Sequence, residues 1–129
     1  MSGSLLFDTN IIIAIIENDM AVTARLTASQ RLFLPSIAIG ELFYGAFRSG
    51  RREQNLARLE RFLLRHVIVP CDMNTARHYG AIQQVASERG RPSPQNDLWI
   101  AAVARQHDLI LVTRDAHFGG IPGLTVEYW

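Results

Sequence analysis

The chain has 129 residues, 48% of them apolar and 19% charged, the make-up of one ordinary globular domain and not of a disordered or fibrous protein. Its longest apolar runs, such as Ile11 to Ile16, fall well short of the roughly 18 residues that span a bilayer. Met1 to Ser4 offers no positively charged n-region, so neither a membrane segment nor a signal peptide is expected. Net charge is +1 and says little about partners, but all thirteen basic residues are arginine.

Leu5 to Phe7 is a short apolar run that stops at Asp8 and reads as a buried strand. Ile11 to Glu17 suits a helix with Asn10 as N-cap, and Ala21 to Gln30 looks helical as well. Leu32 to Leu34, ahead of Pro35, is a second short strand. Ser36 can cap a helix from Ile37 to Arg48, because a serine oxygen accepts from first-turn amides. Ser49 and Gly50 end it, and Arg51 to Arg65 starts another helix with Leu56, Leu59 and Leu63 at helical spacing. Val67 to Val69 is a strand closed by Pro70, and Asn74 to Arg89 is a helix that Gly90 ends. Arg91 to Gln95 is a loop, because its two prolines prevent regular hydrogen bonding. Asn96 to His107 is a helix, Leu109 to Thr113 an apolar strand, and Leu124 to Tyr128 a last strand. Short strands apolar on both faces, alternating with helices, indicate an α/β fold: a single three-layer α/β/α domain over residues 1–129 with a central parallel sheet. The lone cysteine, Cys71, allows no internal disulfide and fits a reducing cytoplasm; it reads as a small residue at a strand end.

In an open parallel sheet the ligand site lies beyond the carboxyl ends of the strands. Asp8 follows the first strand directly, Asp115 follows Thr113 by two residues, and Asp97 opens the helix that points its N-terminus to the same edge. Glu41 sits in the helix SIAIGELFYGAF with apolar residues on nearly every side, where an ionised carboxylate must be paired, hydrogen-bonded or bound to a cation. Each acid also has a structural use. Asp97 could stabilise its helix N-terminus by about 0.3 to 1 kcal/mol, Asp115 could be a turn residue, and Asp8 could cap the following helix. Together, four acids at one edge would repel one another, and a hard cation such as Mg²⁺ or Mn²⁺ removes the conflict. Such an ion can also activate water against a phosphodiester. No histidine pair or cysteine cluster has zinc-like spacing, and His107 and His117 read as surface or loop histidines outside the site.

The segments FDTNIII, IAIGELFYGA, NDLWIAAVA, LILVTRDAHF and IPGLTVEYW resemble, in order and spacing, the PIN-domain ribonucleases, in particular the VapC toxins of bacterial toxin–antitoxin pairs. The likeness runs from Leu5 to Trp129. It implies a PIN-like fold and a Mg²⁺- or Mn²⁺-dependent endoribonuclease that cuts tRNA or another structured RNA by metal-assisted hydrolysis. The family's four acidic positions fall on Asp8, Glu41, Asp97 and Asp115, with Asp8 and Asp97 as metal ligands. Asp115 stands at the family's most variable acid. Thr9, Asn10 and Thr113 fall on supporting polar positions that orient water or carboxylates. Glu41 would bind the metal through water or accept a proton. The resemblance also implies a cognate VapB-type antitoxin, which would wrap the domain and block its acidic pocket. The apolar, aromatic helix around Phe43, Tyr44 and Phe47 could supply part of that surface or of a homodimer interface, or pack in the core.

Arg58, Arg61 and Arg65 share one helical face, with Arg48, Arg51 and Arg52 near its start, a plausible surface for RNA phosphates or else a solvated face balanced by Glu53 and Glu60. The absence of lysine removes the nearest rivals. A phosphoaspartyl phosphatase or a response-regulator receiver also places an aspartate after its first strand, but each needs a lysine, as does a P-loop. The remaining alternative is a catalytically weak domain that binds RNA or protein, against which the presence of all four acids argues.

Overall fold

The computed structural model describes residues 3–27, 30–90 and 93–129. Five strands, β1 (Leu5–Phe7), β2 (Phe33–Pro35), β3 (Val67–Val69), β4 (Ile110–Thr113) and β5 (Thr125–Tyr128), form one sheet in the order β3-β2-β1-β4-β5. Every neighbouring pair is parallel, with Phe7 opposite Val112 and Thr113 opposite Tyr128. Leu6, Leu34, Leu111 and Val112 are fully buried, as expected of strands covered on both faces. The helices are α1 (Thr9–Ile16), α2 (Met20–Thr23), α3 (Ser36–Phe47), α4 (Arg52–Leu63), α5 (Met73–Glu88) and α6 (Gln95–Gln106), which complete the α/β/α layers. No helix among the described residues is long and apolar enough to cross a membrane.

Because β1 and β4 lie side by side at the centre, the turns that follow them emerge next to each other on the carboxyl edge. The backbone continues that pairing one residue further, with the Asp8 amide donating to the Val112 carbonyl at 3.0 Å. Helix α6 is held against this centre by Leu98 and by the unbroken buried run from Ile100 to Ala104. Its alanines let the backbone lie close to its neighbours.

Three local expectations change. Asp8, not Asn10, is the N-cap of α1, accepting from the Thr9 amide at 2.8 Å, because the chain leaves β1 and enters the helix within a single residue. The segment from Ala21 to Gln30 holds only the four-residue α2, capped by Asp19, and Ala28 and Ser29 within it lie outside the described residues. Only Val22 of α2 is buried, so tertiary packing offers little to extend a helix of that length. Helix α3 begins at Ser36 itself with Pro35 at the cap, and the serine hydroxyl turns to the Cys71 thiol at 3.9 Å instead of capping. The other elements lie within about two residues of their expected bounds. Of the expected loop Arg91 to Gln95, Arg91 and Pro92 lie outside the described residues, and Gln95 already belongs to α6.

Candidate active site

Asp8 is 4% exposed although it carries a carboxyl group. Burial pushes its pKa up and the charge of Asp115 adds to this, while hydrogen bonds from Thr113 and Thr9 oppose them. The Thr113 hydroxyl, fully buried at the end of β4, donates to Asp8 Oδ2 at 2.8 Å and accepts from the Asp115 amide at 2.9 Å. One side chain thus fixes both the rotamer of the first acid and the course of the loop bearing the last. On the other flank, Thr9 Oγ1 donates to Glu41 Oε1 at 2.9 Å, tying the start of α1 to α3.

Asp97 stands in the first turn of α6 with its side chain 19% exposed. Its pKa is pushed up to about 6, first by burial and then by repulsion from Asp8, Asp115 and Glu41, with His117 opposing. The other three expected acids therefore all act on this one carboxyl group. Glu41 differs from expectation in one respect: it is exposed, because α3 turns this position away from its apolar neighbours toward the site.

Sequence reasoning left out His117, and the structure brings it in. Asp115 caps a short 3₁₀ turn, Ala116–Phe118, by accepting from the His117 amide at 2.9 Å. The ring places Nδ1 3.0 Å from Asp115 Oδ1 and 3.8 Å from Asp97 Oδ2. Asp97, Asp115 and His117 each offer a ligand atom, all within 4.8 Å of one another. The available signal was in AHF: a buried aromatic, Phe118 at 1% exposure, directly after the histidine pins the turn and so aims the ring.

Beside the acids lies a cleft of about 600 Å³ whose lining includes Thr9, Asn10, Glu41, Arg48 and Arg58. Asn10 faces this cleft. The six arginines divide. Arg48 and Arg58 reach the cleft, Arg48 also covering the Tyr44 ring at 5.1 Å. Arg61 and Arg65, with Arg58, line a second cavity of about 720 Å³. Arg51 is the N-cap residue of α4 and Arg52 Nε donates to the Phe47 carbonyl at 2.6 Å, so neither lines a cavity described here. Tyr44 and Phe47 are 65% and 51% exposed, whereas Phe43 packs partly against the core.

The carboxylates thus gather beyond the carboxyl edge of a parallel sheet, and the PIN domain family model matches residues 5–124. The chain belongs to the PIN-domain family, in its VapC ribonuclease branch. It is 37% identical over 127 residues to the tRNA(fMet)-specific endonuclease VapC of Shigella flexneri, and 35% identical over 127 residues to ribonuclease VapC2 of Haemophilus influenzae. Each alignment covers 96% of this chain and 96% of the relative. A chain of a DNA-bound VapBC complex from Salmonella typhimurium superposes with a TM-score of 0.91 at 33% identity, covering 98% of both chains. VapBC2 from Rickettsia felis, bound to a promoter DNA fragment, gives 0.88 at 29% identity over 97% of this chain and 98% of that one.

Proposed function

We propose that this chain, as a single PIN domain over residues 1–129, is the toxin of a VapBC-type pair: a Mg²⁺- or Mn²⁺-dependent endoribonuclease of the cytoplasm that cuts tRNA or another structured RNA. A VapB-type antitoxin would neutralise it, and the exposed Tyr44 and Phe47 offer apolar surface for that partner or for a second copy in a homodimer. The observation that carries this reading is the convergence of Asp8, Glu41 and Asp115 on the carboxyl group of Asp97.

The donor chemistry fits a hard divalent cation. Three carboxylates that are at least partly buried share one edge, and repulsion from Asp8, Asp115 and Glu41 adds to burial in raising the pKa of Asp97, with His117 opposing. Asp8 and Asp97 would hold the ion, with Asp115 adjoining. When bound, such an ion polarises a phosphate and acidifies a water. The chain's own residues supply positioning. Thr113 holds Asp8 and the Asp115 loop in place, and Thr9 orients Glu41 at the mouth of the cleft, where it can take a proton or hold a water. Arg48 and Arg58 present positive charge along that cleft for the RNA backbone.

The test is cleavage of structured RNA by purified protein with Mg²⁺ or Mn²⁺. Activity is expected to disappear with EDTA and in Asp8→Ala. Cleavage that persists in Asp8→Ala preparations sinks the assignment.

A further inference from the structure

We propose that His117 is a nitrogen ligand of the ion held at this edge and that it makes the centre prefer Mn²⁺ to Mg²⁺. The inference rests on the metallonuclease reading above, but concerns a residue outside the four acids. Its basis is where the ring stands. Asp115 already caps the 3₁₀ turn through the His117 backbone amide and buried Phe118 anchors that turn, so the ring's contact with Asp115 Oδ2 at 3.1 Å adds to a turn held by other groups as well. The side chain is 58% exposed, yet its Nδ1 lies between two carboxylates, 3.0 Å from Asp115 and 3.8 Å from Asp97.

These separations match a coordination sphere. With bonds of about 2.1 Å, an octahedral ion holds neighbouring donors about 3 Å apart and opposite donors about 4.2 Å apart. The two histidine separations, 3.0 and 3.8 Å, fall within that range, and all three donors lie within 4.8 Å of one another. Their identity then decides which ion. Mg²⁺ is a hard ion that takes carboxylate and water oxygen and keeps much of its hydration, whereas imidazole nitrogen favours first-row transition ions. Replacing one oxygen by His117 Nδ1 therefore tilts an otherwise carboxylate site toward Mn²⁺.

The experiment titrates metal-free full-length protein with Mn²⁺ and with Mg²⁺ by calorimetry, and records pulsed electron paramagnetic resonance of the Mn²⁺-loaded form. The wild type is expected to show the ¹⁴N coupling of a directly bound imidazole. His117→Ala should lose that coupling and bind Mn²⁺ about tenfold or more weakly, with Mg²⁺ affinity changed less than about threefold. His117→Gln, which keeps the bulk of the side chain, should behave like His117→Ala. Mn²⁺ bound by the wild type without ¹⁴N coupling, or equally tightly by His117→Ala, overturns the proposal and leaves the metallonuclease reading standing. Failure of the wild type to bind either ion overturns both.

Discussion

At the scale of single residues, Thr113 sits between two acids 107 positions apart in the chain, Asp8 and Asp115. Thr113→Val keeps the shape but removes the hydroxyl, leaving Asp8 buried without the strongest of the hydrogen bonds that hold its pKa down. Metal affinity measured by calorimetry should fall about 10- to 100-fold, the usual loss when a ligand's supporting partner is removed; unchanged affinity would contradict the role given to Thr113. Asp97 makes a prediction about stability. Its pKa is about 6 in the folded chain against 3.8 for an ordinary aspartate, so the folded form holds the proton more tightly than the unfolded form does. The stability linked to that proton is fully present below about pH 4 and is lost as pH rises through about 6. In EDTA, the wild type should therefore melt at lower temperature at pH 7.5 than at pH 5, and Asp97→Asn should flatten that part of the profile. A variant with the wild-type pH profile would show that the repulsion at Asp97 is not felt in solution. Asp8, Asp97 and Asp115 were legible from their places beside strand and helix ends, whereas His117 was not. A histidine two residues beyond an acid in a loop can face either way, and only the turn pinned by Phe118 decides.

At the scale of elements, α6 carries the site because it is both buried and aimed. Leu98, 2% exposed and adjacent to Asp97, fastens the first turn of the helix to the core. Leu98→Ala should cost about 2 to 5 kcal/mol in denaturant unfolding. It should also lower RNA cleavage well below the melting temperature, since Asp97 loses its anchor; wild-type stability would refute the packing. Helix α4 gives a paired test of the RNA path. With Asp8→Asn as background to prevent cleavage, Arg58→Ala should weaken RNA binding and reduce the salt slope by about one. Arg52→Ala, whose side chain lines neither cavity, should leave both nearly unchanged. Equal losses would place the RNA elsewhere on the surface. The elements themselves were largely readable, because strands with no polar face and helices with regular apolar spacing leave local signals. The exception, α2, had helical composition but only one buried position, and burial is a property of the fold.

For the whole molecule, the assignment turns on what the chain does in a cell. Expression alone should arrest growth, and co-expression with a neighbouring small protein should relieve the arrest and yield a copurifying complex. Asp8→Ala should be harmless while still capturing that partner, because it alters the acidic pocket and leaves the exposed Tyr44 and Phe47 surface intact. Arrest by Asp8→Ala equal to that by the wild type would mean that toxicity does not come from cleavage.

The sequence by itself determined the α/β class, the parallel sheet, the acids on its carboxyl edge and, through an ordered set of short motifs, the family. These are encoded locally, in periodicity and in which residue follows each strand. Tertiary structure alone decided that β1 and β4 are central neighbours and that Thr113 bonds to Asp8 across 105 residues. It alone decided that repulsion gathers on Asp97, that Arg48, Arg58, Arg61 and Arg65 line cavities while Arg51 and Arg52 do not, and that His117 joins the acids. Each of these depends on a distance between segments remote in the chain, and such distances are set by packing and not by any local pattern.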